Sequence, residues 1–154
     1  WEPVEIFYTL LNPQVSISPD ATQVNGITNE MVANAPLFSQ VVDSLVEFIE
    51  NYNLVGHNIQ FDLAFLYCSG LNLLNKKMKF FDTLEISKYT LEQLKRNGNY
   101  LWYVDDYKLI TLCRHFSIPV INFCSAGYAC FATGLLFDKL IGMKIQTEYR
   151  GVDK

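Results

Sequence analysis

Val55-Gly56-His57-Asn58-Ile59-Gln60-Phe61-Asp62-Leu63-Ala64-Phe65-Leu66 reads as a short buried strand that turns at His57-Asn58 directly into a helix. Asn58 is placed to cap that helix. Asp62, about one turn later, lies near the positive end of the helix dipole, which favours an ionised carboxylate. In an open α/β sheet, ligands gather beyond the carboxyl ends of the strands, where this turn puts Asp62 within reach of a metal or a phosphate. Taken alone, the plainer reading is a capping Asn with a dipole-satisfying Asp. The neighbouring segments decide between the two.

Upstream, Glu5 to Leu11 is a strand candidate that Asn12-Pro13 breaks, and Ser18-Pro19-Asp20 starts a helix running to Val24 before Gly26 interrupts it. Thr28 opens a further short helical turn. After Ala35-Pro36, the residues Leu37, Val41, Leu45 and Ile49, with Phe38, Val42 and Val46, form an apolar stripe at helical spacing that belongs in the core. Downstream, Ser69-Gly70 ends the central helix, and Lys79 to Thr83 is a second strand leading into another helix. Strands alternating with helices argue for parallel pairing under a helical cover. The expected elements are strands at Glu5 to Leu11, Asn53 to Gly56 and Lys79 to Thr83, with covering helices at 37–51, 59–69 and 127–141. A helix also spans Tyr107 to Phe116, and the last helix ends near Gly142. Between them lies an aromatic loop over 98–107, whose Tyr100, Trp102 and Tyr103 suit base stacking, although packing against their own domain is the commoner use. Asn75 to Lys79 is a basic connection.

The 154 residues, half of them apolar, suit one domain with a real core. Twelve basic against sixteen acidic residues, a net charge of −4, argue against a broad basic face for polyanions. Cys68, Cys113, Cys124 and Cys130 form no C-x-x-C pair and have no histidine at zinc-ligand spacing. A reducing, cytoplasmic setting is the default for such a chain. No apolar run reaches the roughly 18 residues that span a bilayer, so no membrane role is expected.

Four pieces now recur in one order: Asn12-Pro13; Val24-Asn25-Gly26-Ile27-Thr28 with Glu30-Met31 and Ala35-Pro36; His57-Asn58-x-x-Phe61-Asp62; and Asp82-Thr83-Leu84. The ordered set resembles the DEDDh 3′-5′ exonuclease family, of ribonuclease-H-like fold and bacterial proofreading type. The resemblance continues through Leu112-Cys113 and Ile118-Pro119 to Ala132-Thr133. It implies an α/β fold, a ribonuclease-H-like mixed sheet flanked by helices. It also implies four carboxylates around two divalent metals, magnesium or manganese, with a histidine as general base. By this resemblance Asp62 is the second-motif carboxylate and metal ligand, and Gly26, Ile27, Thr28, Met31, His57, Asn58 and Phe61 line a terminal-nucleotide pocket open to Asp62.

The sequence departs from the family pattern twice. The first motif, Asp-x-Glu on the opening strand, is absent; Glu2 and Glu5, three apart, fall on opposite faces of a strand and cannot replace it. The expectation is a single domain over 1–154 whose first strand or strands lie upstream of Trp1. The third motif, a histidine and then an aspartate at the last helix, aligns with Cys124 and Ala129. No Asp, Glu or His occurs from Ser117 to Phe137, and Asp138 lies roughly 13 Å further along the helix. A soft thiolate is a poor magnesium ligand. His115 belongs to a different helix and faces core or solvent. Losing a general base alone costs about 10²- to 10⁴-fold in rate. Three readings follow: a degenerate, catalytically inactive domain, needing no cofactor, that binds single-stranded nucleic-acid 3′ ends or holds partner proteins; an active 3′-5′ exonuclease on DNA or RNA, dependent on magnesium or manganese, whose missing groups come from upstream or from a partner; and a purely structural interaction module.

Overall fold

The computed structural model describes residues 4–74, 76–96, 102–120 and 125–149, with side chains up to Met143. In chain order the elements are α1 (Pro19–Asn25), α2 (Asn29–Val32), α3 (Phe38–Ile49), β1 (Leu54–Gly56), α4 (Ile59–Cys68), β2 (Phe80–Asp82), α5 (Thr83–Arg96), α6 (Leu109–His115) and α7 (Ala126–Tyr149).

Local chemistry sets the first helices. The Ser18 hydroxyl accepts from Ala21 N at 3.2 Å, Pro19 occupies the first turn, and Gly26, at φ +73°, closes α1 by donating to Thr22 O. Thr28 then caps α2 by accepting from Met31 N. The link between the two helices is fixed from both sides, because Thr22 Oγ1 donates to Ile27 O and Ile27 N donates to Asn25 Oδ1, each at 2.8 Å. The stripe of α3 packs as its spacing predicts: Ile49 is buried, and Phe38, Val42, Leu45 and Val46 join it against Ile59, Leu63, Leu71 and Leu73. Ser69 and Gly70, the latter at φ +95°, end α4 where the sequence places the stop.

β1 and β2 pair in parallel, with Leu54 opposite Phe80 and Gly56 opposite Asp82, and α4 is the crossover between them. The α/β class with parallel pairing therefore stands, and the sheet among the described residues is these two parallel strands rather than a mixed one. Glu5 to Leu11, however, is not a strand. Its backbone has no ladder partner among the described residues, and without a neighbour an extended segment cannot satisfy its peptide groups in a sheet. Phe7 packs on Phe48 of α3 at 5.7 Å, while Val4, Ile6 and Tyr8 are exposed. Asn12 anchors its end, N–H to Pro36 O and side-chain amide to Ala33 O.

The second half packs around α7. Leu91 of α5, Leu112 and Cys113 of α6, and Ala132, Leu136 and Leu140 of α7 are fully buried together, and Phe81 of β2 meets Phe137 at 5.5 Å. α7 continues to Tyr149 instead of ending near Gly142, since one glycine costs a helix interior only about 1 kcal/mol. The aromatic loop is used internally where it is described. Trp102 packs against both His115 and Phe116, Tyr103 sits under Lys95, and the Tyr107 hydroxyl donates to Glu92. Tyr100 lies outside the described residues, as do Glu2 and Asn75.

Candidate functional site at the turn between β1 and α4

Gly56 ends β1 where nothing larger fits, because a Cβ there would lie 2.7 Å from that of Ile59. His57 follows, partly buried. Its Nδ1 is 2.9 Å from Thr83 Oγ1, its Nε2 is 3.0 Å from Tyr107 O, and Thr83 Oγ1 also donates to Gly56 O at 3.1 Å. Burial holds the imidazole pKa below the ordinary value, against opposing pulls from the Tyr107 carbonyl and the Asp82 charge. Asn58 occupies the N-cap position of α4 but does not cap it through its side chain. Its backbone is left-handed, at φ 62°, and its N–H donates to Asp82 Oδ1 at 2.8 Å. The same oxygen accepts from Leu84 N at 2.9 Å. One carboxylate at the end of β2 thus ties the turn before α4 to the first turn of α5.

Asp62 lies in the first turn of α4, exposed at its tip. Desolvation raises its pKa, and the neighbouring Asp82 charge adds to that rise. Across from it, on the second turn of α7, stands Cys130, whose thiol is pushed up by burial and by the Asp62 charge. Ala129, half-buried, precedes Cys130 and donates its N–H to Ser125 O. Cys124 lies outside the described residues.

The structure divides the expected pocket residues. Gly26, Ile27 and Met31 line a cavity of about 1080 Å³ with Tyr8, Val15 and Ala126, and Asp62 is not among its lining residues. Thr28 is engaged in capping α2. His57 and Asn58 line a separate cleft of about 580 Å³ with Lys88, Asp106, Tyr107 and Lys108. Phe61 is exposed and stacks on Phe65 at 4.8 Å. Reading along the sequence misses Asp82 as the acceptor for Asn58 and Cys130 as the group facing Asp62. An acidic residue directly before a helix start was the available signal for Asp82.

Hard divalent cations require several oxygen donors. Among the described residues no three His, Cys, Asp or Glu side chains gather to hold a metal ion. Asp82 commits one oxygen to two backbone N–H groups, and Cys130 offers only a soft sulfur. The donor set described around Asp62 does not fit a two-metal centre.

A protein-family model described as Exonuclease, of the RNase T type, matches residues 1–122. The chain belongs to the DEDDh-type 3′-5′ exonuclease family. Members of this family generally use divalent metals. The chain is 33% identical over 156 residues to the PolC-type DNA polymerase III of Caldanaerobacter subterraneus subsp. tengcongensis, covering 97% of this chain and 10% of that protein. It is 38% identical over 88 residues to the DNA polymerase III subunit epsilon of Buchnera aphidicola, covering 53% of this chain and 37% of that subunit. The chain thus spans about a tenth of the PolC-type polymerases it matches. A structure of exonuclease X in complex with 5′ overhanging duplex DNA superimposes with a TM-score of 0.58 at 21% identity, over 86% of this chain and 70% of that one, and shares the fold. The chain is an exonuclease-like domain related to PolC-type DNA polymerase III and to the DNA polymerase III subunit epsilon. Among the described residues, no helix is long and apolar enough to cross a membrane.

Proposed function

We propose that this exonuclease-like domain binds the 3′ end of single-stranded nucleic acid, DNA or RNA, without hydrolysing it, in an intracellular setting and within an assembly of proteins. The observation that carries this reading is the turn of α7 facing Asp62. That turn carries Cys130, a soft thiol, beside Asp62, and among the described residues no three His, Cys, Asp or Glu side chains gather to hold a magnesium or manganese ion. The turn carrying Asp62 is nevertheless held in place by Asp82 and His57. Gly26, Ile27, Thr28, Met31, His57, Asn58 and Phe61 are the proposed contacts for the terminal nucleotide, with Cys124 and Ala129 at the degenerate catalytic positions. With a net charge of −4 the contacts are few and local, so binding is weak and falls steeply with salt. Titrating a labelled single strand at two salt concentrations tests this. Affinity equal at both would point to a role confined to protein partners.

One observation favours an active enzyme as the second reading. Leu54 N donates to Lys79 O, so the peptide groups of Val55 turn to the edge of β1 that β2 does not occupy. That edge borders a groove of about 490 Å³ lined by Asn53, Val55, Cys130, Gly134, Phe137, Asp138 and Ile141. A further strand, from a preceding segment or another chain, can pair there and bring acidic groups beside Asp62. In that case the domain over 1–154 is completed from outside itself, and Asp62 becomes a catalytic metal ligand. Metal-dependent release of nucleotides separates this reading from the first.

A further inference from the structure

The contacts of His57 impose a proton count that is independent of nucleic-acid binding. Gly56 O, Thr83 Oγ1, the imidazole and Tyr107 O form one chain with links of 3.1, 2.9 and 3.0 Å. The carbonyls only accept, so Tyr107 O needs a proton on Nε2 and Gly56 O needs the hydroxyl proton of Thr83. With that proton spent, Thr83 Oγ1 can only accept from Nδ1. All three bonds therefore exist together only when both ring nitrogens are protonated. A neutral ring that keeps its proton on Nε2 leaves Nδ1 as an acceptor. The single hydroxyl proton then serves either the ring or Gly56 O, and one acceptor goes without.

We propose that His57 is a proton-operated clamp between the β1–α4 turn and the 102–108 segment. Protonation closes the whole chain from Gly56 to Tyr107, and deprotonation turns the Thr83 hydroxyl toward the ring and frees the last carbonyl of β1. His57 acts as a positioning residue, through the turn that carries Asn58 and Asp62. The charged and titratable groups around it come from three elements. Asp82, at the end of β2, favours the imidazolium, and Lys88 of α5 opposes it while paired to Glu85 at 2.7 Å. Asp106, Tyr107 and Lys108 line the same cleft from the segment before α6, and Asp106 and Lys108 are paired with each other at 3.0 Å. Burial opposes the charge most strongly, so the clamp closes on the acid side of 6.5 and stands open at neutral pH.

The test is a pH titration of the full chain, labelled with ¹⁵N and ¹³C, from neutral to mildly acidic conditions. The chain has only two histidines, and His115, stacked on Trp102, serves as the internal reference. The expected result is a neutral His57 with its proton on Nε2 that gains the second proton on acidification, with the carbonyl carbon of Gly56 shifting at the same midpoint. Thr83→Val removes the hydroxyl at nearly constant volume and should lower the His57 midpoint by about one pH unit, the equivalent of one hydrogen bond to a charged group. Thr83→Ser should restore both the midpoint and the Gly56 response. A His57 titration that leaves the Gly56 carbonyl unmoved, or a midpoint indifferent to Thr83→Val, would overturn the proposal. Thr83 is fully buried, so if the valine variant does not fold, the carbonyl titration of the unaltered chain decides alone.

Discussion

The packing around α7 and the stretch from Val4 to Pro36 are built on different principles. In the first, Leu91, Leu112, Cys113, Ala132, Leu136 and Leu140 are wholly removed from water and the helices hold one another by apolar contact. In the second, Val32 is the one buried hydrophobic among the described residues, and order comes from caps and short-range hydrogen bonds: Ser18 to Ala21, Thr28 to Met31, Asn29 to Ile17. The difference shows where stability lies and where adaptability lies. The expected nucleotide contacts Gly26 to Met31 belong to the weakly buried stretch, whereas Asp62 lies in the first turn of α4, beside Cys130 of α7.

The sharpest way to break this contrast is to truncate one side chain in each half. Leu136→Ala should cost about 2–5 kcal/mol in denaturant unfolding, through lost burial and the cavity left behind. Met31→Ala, at a half-exposed position, should cost under about 1 kcal/mol. Similar losses in the two variants would abolish the distinction.

Much of the packed region and little of the site was legible in the sequence, and particular residues show why. The α3 stripe, the Ser18-Pro19 start and the Ser69-Gly70 stop are local signals, and each is found where it was read. The sequence predicts a side-chain cap at Asn58, because Asn before a helix usually is one. Its N–H instead reaches Asp82, twenty-four residues away, and no local pattern carries that pairing. Glu5 to Leu11 has strand composition and alternation but lacks a partner, and a strand is a property of two segments. The order of motifs that groups the nucleotide-pocket residues says nothing of distance: Gly26, Ile27 and Met31 line one cleft, His57 and Asn58 another, and Thr28 and Phe61 neither.

A smaller effect is expected from Asp82→Ala. It leaves the Asn58 and Leu84 N–H groups without their shared acceptor, at a cost of about 1–3 kcal/mol in stability. It should also weaken the proposed end binding, because the turn carrying Asp62 loses its tie to β2. A variant that binds and unfolds like the parent would show that the turn is held by packing alone.

The smallest effect sharpens the picture of Asp62 itself. Its folded pKa is raised above 3.8, so the fold disfavours the ionised form. The penalty is absent below the unfolded pKa and grows as pH rises through the folded value. Asp62→Asn should therefore raise the melting temperature slightly at neutral pH and leave it unchanged near the acid end, compared in thermal melts of both proteins. A loss of stability at neutral pH would show that the carboxylate is satisfied where it stands.

The proposed function has this domain keep the exonuclease fold and bind 3′ ends without hydrolysing them. The most direct measurement is release of nucleotides from a 3′-labelled single strand by the purified chain with magnesium or manganese. The account predicts no release above background, and recovery of metal-dependent release only when Cys124→His and Ala129→Asp are introduced together beside an intact Asp-x-Glu strand. The groups act as a unit, so either change alone should do little. Release by the unaltered chain that Asp62→Ala abolishes would contradict it.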